Sequence, residues 1–279
     1  MKRTIRVAAR DTSTVGRLAR AVLLKTSGRN SKLSLQEKLM LGALPRPYYA
    51  YSAVRASELA VRLGYKEVTW IEFGVATGNG LIALEQIKAV VEQHLPITVR
   101  IVGFDMGSGL PTPIDYRDLT YHWQGGFYEM DIPRLKARLS SASLMLGPVA
   151  ETLPAYAENP PTDAPIGMIS FDLDYYSSTA EAFKIFDLPE AAILPRVMCY
   201  MDDIVGTTEC YSDFTGVRLA IREFNERNDS RKLSPCYDFE LFGYERWQEK
   251  IMIYHDFGHA RYTEYVGDAD LESHIPLAD

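Results

Sequence analysis

The stretch from Val68 to Leu84, VTWIEFGVATGNGLIAL, constrains the fold more than any other part of the chain. It opens as an apolar, largely β-branched run through Val68, Trp70, Ile71, Phe73 and Val75. It meets glycines at Gly74, Gly78 and Gly80, then continues with helical spacing through Leu81, Leu84, Ile87, Val90 and Val91. The pattern predicts a strand, a tight turn and a helix. Glycine tolerates positive φ and puts no side chain between backbone and ligand, and a helix N-terminus carries unpaired N–H groups. Glu72 adds a carboxylate at the strand end. Taken alone, the pattern suits a structural strand-to-helix turn as well as a ligand loop.

The same beat continues along the chain. Apolar runs at 68–75, 98–105, 143–147, 166–172 and 196–201 read as buried strands, and helical patterns fall at 80–94, 133–141, 177–187 and 215–228. Alternation of this kind predicts an α/β fold with a mostly parallel sheet and helices on both faces. After Asn228 two strands follow with little between them, at 237–244 and 250–256, an antiparallel pair at the sheet edge. Upstream, Ser34 and Glu37 have capping-box spacing for a helix over 34–42. Pro45 and Pro47 interrupt the chain, and a second helix carries Tyr48, Tyr49 and Tyr51 near its start and ends at Gly64. Those tyrosines either pack the helix on the sheet or line a pocket, with packing the expectation for at least two.

A chain of 279 residues can bury a full core, and one large domain with an appended arm is expected. The division is a basic arm with short helices over 1–45 and the α/β domain over 46–279. Residues 1–32 carry nine Lys/Arg against one acid, so the arm is +8 and the remainder −15 within a net charge of −7. The arm reads as a solvated tail. Its alternative is a weak membrane-surface or anionic contact through a short basic amphipathic helix over 15–24. No apolar run approaches the ~20 residues of a transmembrane span. Arg17 and Arg20 break the one stretch that resembles a secretory signal. Cys199, Cys210 and Cys236 form an odd count without metal-type spacing, which fits a reducing cytoplasm. The acidic body does not suit nucleic acid. The oligomeric state is open, with a homo-oligomer among the forms allowed.

Ligands of open α/β sheets bind at the carboxyl ends of the strands. Glu72 and Gly74 end the first strand. Asp105 ends the second, in GFD, and is placed to take two ribose hydroxyls. Asp172 and Asp174 follow the fourth strand in FDLDYYSST, and Asp202 and Asp203 follow the fifth in YMDDI. Four carboxylates at two neighbouring strand ends raise one another's pKa unless something compensates, and a hard divalent cation is the simplest compensation. The alternative is that one or two of them cap the following helices, Asp174 first.

In combination, EFGVATGNG, GFDMGSGLP, WQGGF, the ETLP turn at Glu151 to Pro154, FDLDYYSST and MDD resemble class I S-adenosylmethionine-dependent methyltransferases. Among these the chain is most similar to the macrocin O-methyltransferase family, which methylates sugar hydroxyls, over roughly 48–257. The resemblance implies a Rossmann-like seven-stranded methyltransferase fold with the last strand antiparallel. It implies S-adenosyl-L-methionine held by Glu72, Gly74, Gly78, Gly80, Asp105 and Met106. It also implies Mg²⁺ held by Asp172, Asp202 and Asp203, to which the strand-end reading adds Asp174 as a fourth metal ligand, and a small hydroxylated acceptor, a sugar or glycoside. The usual GFDSFEGLP is GFDMGSGLP here, and the acceptor is not assigned. Catechol-type relatives carry a lysine three residues after the first metal aspartate, where this chain has Tyr175. The proton acceptor is therefore sought among Asp172, His122 and His255.

The segment 106–131 is rich in Gly, Pro and aromatics, and its length predicts a lid. Two other functions compete. GNGLIA satisfies a variant of the dinucleotide fingerprint, which suits an NAD-dependent oxidoreductase. The missing lysine suits a non-catalytic, methyltransferase-like binding protein.

Overall fold

A computed structural model describes residues 33–206, 212–239 and 244–267. The expectations placed on residues 1–32, including the 15–24 helix, lie outside the described residues, as do Cys210 and positions 240–243. Strands β1 (Glu67–Phe73), β4 (Ile166–Phe171) and β5 (Ile193–Met201) are buried along nearly their whole length. A strand of that kind needs cover on both faces, which is why its sequence is a continuous apolar run rather than an alternating one.

The remaining strands are β2 (Thr98–Asp105), β3 (Ser143–Leu146), β6 (Arg231–Pro235) and β7 (Ile251–Asp256). The helices are α1 (Leu35–Met40), α2 (Pro47–Arg62), α3 (Asn79–His94), α4 (Ile132–Lys136), α5 (Val149–Ala157), α6 (Tyr176–Ala182) and α7 (Gly216–Arg227). The strands form one seven-stranded sheet in the order β3-β2-β1-β4-β5-β7-β6. Pairing is parallel from β3 through β5, and β7 runs antiparallel to both of its neighbours, β5 and β6. The α/β, mostly parallel sheet with antiparallel pairing at one edge is thus the fold present.

Side chains on strands alternate between faces, and the two faces are distinct here. Phe73, Phe104 and Phe171 stack at ring-centroid distances of 4.7 and 5.5 Å and meet Tyr156 of α5 and Phe183 after α6. Their neighbours Glu72 and Ser170 point the other way, where both engage the Tyr49 hydroxyl of α2. Each buried phenylalanine contributes roughly 1.5–3 kcal/mol by area removed from water. Tyr49 and Tyr51 are fully buried and Tyr48 stacks on Tyr200 at 4.6 Å, so packing is the role of all three.

Helix α1 has the expected capping box, with the Glu37 amide donating to Ser34 Oγ and the Ser34 amide donating to Glu37 Oε2. Leu35, Leu39 and Leu44 lie in the same hydrophobic core as residues of α2. Two expectations are corrected. The strand paired with β7 at the edge is 231–235; of the expected 237–244, residues 237–239 and 244 are not strand and 240–243 lie outside the described residues. An edge strand with one fully buried side chain, Leu233, shows no apolar pattern. ETLP lies inside α5, where Pro154 sacrifices one backbone hydrogen bond without ending the helix. Among the described residues no helix is long and apolar enough to cross a membrane.

Candidate active site

Gly74 follows β1 with φ +82, and a Cβ there would lie 1.7 Å from the carbonyl oxygen of Asp172. That close approach joins the ends of β1 and β4. Gly80 opens the first turn of α3, and its missing Cβ leaves room for the Glu72 carboxylate, which would otherwise stand 1.7 Å away. The backbone between them is held by Asp105. Its Oδ2 accepts the Val75 and Ala76 amides, each at 2.8 Å, and its Oδ1 accepts the Gly107 amide at 2.6 Å. Asp105 therefore clamps the loop after β1 to the loop after β2. It faces the cavity, as expected, with most of its lone pairs engaged by the chain itself.

These strand ends open into one cavity of ≈ 690 Å³. The expected residues Glu72, Gly74, Gly80, Asp105, Met106, Asp172, Asp174, Asp202 and Asp203 all line it. Five non-glycine described residues have positive φ, and four of them, Arg46, Ala76, Tyr128 and Asp174, line this cavity. Such conformations cost of order 1–3 kcal/mol each and concentrate where function over-determines the backbone. The cavity is set apart from the rest of the surface on that ground.

At its floor the carboxylates of Asp172, Asp202 and Asp203 come together, with one oxygen of each lying within 4.8 Å of the others. Burial raises the Asp172 carboxyl well above the usual aspartate range, and Asp203, Asp202, Asp174 and Glu72 push it further. Burial and then Asp202 lift Asp203 to about 7, and burial with Asp203 and Asp202 lifts Asp174 to about 8. The chain supplies these acids with little cation. Lys250 Nζ stands 2.9 Å from Asp202 Oδ1, the oxygen that also accepts the Tyr200 hydroxyl. The Asp174 amide donates to Asp203 Oδ2 at 2.9 Å. An all-oxygen trio of mutually repelling carboxylates fits a hard divalent ion such as Mg²⁺. Asp174 is outside the trio, and its side chain does not cap α6, whose N-cap is Tyr175.

Three expected residues are not brought in. Gly78 N-caps α3 with φ +80, and Leu135 packs where its Cβ would be, so it shapes the turn without lining the cavity. His122 is exposed and set edge-on against Trp123, and Trp123 rather than His122 reaches the cavity wall. His255 pairs with Arg196 at the start of β5 and bonds the Tyr262 hydroxyl, at the end of the sheet remote from the acids.

The 106–131 loop does reach the cavity, through Met106, Leu110, Pro111, Ile114, Trp123 and Tyr128. Buried Asp118 ties it to α6 by accepting the Ile114 amide, the Ser177 amide and the Ser177 hydroxyl. Sequence reasoning missed Asp118, Arg46, Tyr200 and Lys250. Only Arg46 had a local signal, its place between Pro45 and Pro47.

Glu72 is 2% exposed and accepts the Tyr49 hydroxyl at 2.6 Å. Burial raises its carboxyl from 4.5 to about 7, against the opposing effects of the Tyr49 bond and Arg46. An acid so raised holds its proton in the native state while the unfolded chain has lost it, so stability falls as pH rises from about 4.5 through about 7. The full loss is ~3 kcal/mol at ~1.4 kcal/mol per pKa unit. Glu72→Gln, which keeps an acceptor for Tyr49, is expected to remove that part of the slope and to be more stable than the parent at pH 8 but not at pH 4.5. Urea unfolding at both pH values checks this, and equal slopes in the two proteins would refute it.

No family model matches the chain, and no curated protein matches it. Similar solved structures include the calicheamicin methyltransferase CalS11, 22% identical over 78% of this chain and 87% of that one, with a TM-score of 0.46. The O-methyltransferase NovP is 12% identical over 75% and 79%, with a TM-score of 0.49. An O-methyltransferase from Bacillus cereus in complex with SAH is 15% identical over 85% and 96%, with a TM-score of 0.40. Likeness this distant fixes neither reaction nor ligand, and the chemistry rests on the chain's own residues.

Proposed function

We propose that the chain is an S-adenosylmethionine-dependent O-methyltransferase that uses a divalent ion, Mg²⁺, and acts on a hydroxyl of a small acceptor, a sugar or glycoside. One observation carries this reading: a single cavity holds both the Asp105-clamped glycine loop and the oxygen-only trio Asp172, Asp202 and Asp203. Hydride transfer needs no such trio, so the oxidoreductase alternative leaves it unexplained.

The loop at 74–80, Glu72, Asp105 and Met106 would hold the cofactor, and the trio would hold the metal. When bound, the sulfonium supplies an electrophilic methyl group and the divalent ion acidifies a chelated hydroxyl. The chain's task is alignment, which can supply ~7–11 kcal/mol of the barrier. Fixed strand ends and the Asp105 clamp suit that task, since neither must reorganise during reaction. Tyr200 and Lys250 occupy one oxygen of Asp202 and leave the other for the trio. With both histidines outside the cavity, the acceptor's proton falls to a carboxylate. Asp174 lines the cavity without belonging to the trio, and takes that proton at no cost to metal ligation. The loop residues Trp123 and Tyr128 line the same cavity.

The test is calorimetric titration with S-adenosylhomocysteine and, separately, NAD⁺, each with Mg²⁺ and with EDTA. Micromolar binding of S-adenosylhomocysteine is expected, with at least a ~10-fold loss in Asp105→Ala, which frees three charge-assisted amide bonds. Binding of NAD⁺ alone would hand the cavity to the oxidoreductase reading. Homocysteine-product binding with no Mg²⁺ binding would leave a cofactor-binding protein without this chemistry.

A further inference from the structure

Among the described residues that line the cavity, every charged side chain but one is a carboxylate; the exception is Arg46. We propose that Arg46 receives the carboxylate of an amino-acid group on the ligand, namely the methionyl tail of the cofactor. The proposal rests on the reading given under Proposed function and adds a residue and a subsite to it.

Three observations converge. Arg46 is held at φ 45 and ψ 79, a left-handed conformation for a residue with a side chain, between Pro45 and Pro47. A following proline disfavours the ordinary helical region for the residue before it, and each proline fixes its own φ, so the turn is locked rather than mobile. The guanidinium lies 5.3 Å from the Tyr49 ring centroid and 6.0 Å from that of Tyr48. The same Tyr49 hydroxyl holds Glu72 at the glycine loop, so the cation is tied to the loop through one ring. Finally, Arg46 faces the charges of Glu72 and Asp172, yet among the described residues its side chain engages Tyr48 and Tyr49 rather than forming an ion pair with either acid. A group placed only to neutralise those acids would pair with them, and a half-buried guanidinium whose partners are neutral phenols keeps donors for a planar anion.

Charge pattern selects which anion. A phosphate brought into this cavity would meet one cation and a wall of carboxylates. An amino-acid zwitterion places its carboxylate on Arg46 and its ammonium among the surrounding acids, which complements both signs. The start of α2 adds to the attraction, because this sixteen-residue helix has no side-chain cap on its leading amides.

The test compares S-adenosylhomocysteine with 5′-methylthioadenosine, which lacks the amino-acid group, by calorimetry on the parent, Arg46→Gln and Arg46→Lys. The parent is expected to bind S-adenosylhomocysteine more tightly. Arg46→Gln is expected to weaken it roughly 10- to 100-fold, the effect of removing a charged hydrogen-bonding pair, while methylthioadenosine stays within about 2-fold. Arg46→Lys, which keeps the charge and loses the fork, should fall between. Retained methylthioadenosine binding also shows that the variant is folded. Unchanged S-adenosylhomocysteine affinity in Arg46→Gln, or equal loss of both ligands, overturns the proposal and leaves the cofactor reading intact. Binding of neither ligand by the parent overturns both.

Discussion

Gly74→Ala is expected to destabilise the protein by about 3 kcal/mol or more and to abolish ligand binding at the loop. Two costs add. At φ +82 an L side chain pays ~1–2 kcal/mol in the left-handed region. The new Cβ would also lie 1.7 Å from the Asp172 carbonyl oxygen, which is backbone and cannot swing away. Opening that contact separates the ends of β1 and β4, and forced overpacking costs a further ~1–3 kcal/mol. Gly42→Ala separates the terms, since Gly42 also has positive φ, +64, but a Cβ there meets nothing within 4 Å. It should lose only the ~1–2 kcal/mol of the left-handed conformation. Urea unfolding of both variants decides the matter, and a Gly74 variant no less stable than the Gly42 variant would mean that the two strand ends do not meet as described.

The second large effect is on metal binding. In the parent, Mg²⁺ or Mn²⁺ should raise the thermal midpoint, because an ion that binds the folded state alone stabilises it by mass action. In Asp172→Asn/Asp203→Asn the shift should vanish, with affinity down on the order of 100-fold or more, since metal ligands matter at least as much as the groups behind them. Methyl transfer to a diol acceptor should fall on the order of 1000-fold if Lewis-acid stabilisation is worth several kcal/mol. Without metal the sign reverses. The variant removes mutually repelling, partly buried carboxylates, so it should be at least as stable as the parent in EDTA. A midpoint shift that survives the double substitution would place the ion elsewhere.

Much of this site is legible in the sequence, and the particular residues show why. Glu72, Gly74, Asp105, Asp172, Asp202 and Asp203 each end an apolar run, and a strand end is a local property of the chain. The glycine loop was legible for the same reason, because positive φ and absent Cβ atoms are demands of single residues. Gly78 shows the limit: it has the conformation expected of a ligand loop, but Leu135, from a helix 57 positions away, fills the space beside it. Asp105 shows another, since only the fold reveals that its oxygens are taken by the Val75, Ala76 and Gly107 amides.

The sequence by itself determined the α/β class, the parallel core of the sheet, the capped α1 and the carboxylates at the strand ends, all of which follow from periodicities and turn chemistry confined to a few residues. The tertiary structure decided which distant groups join them. Strand β7 runs against β5, so its carboxyl end, with His255, lies beside Arg196 at the far side of the sheet, while Lys250, just before its start, arrives at Asp202. Which strand β7 joins and in what register is set by pairing between segments more than fifty residues apart, and no local pattern carries that.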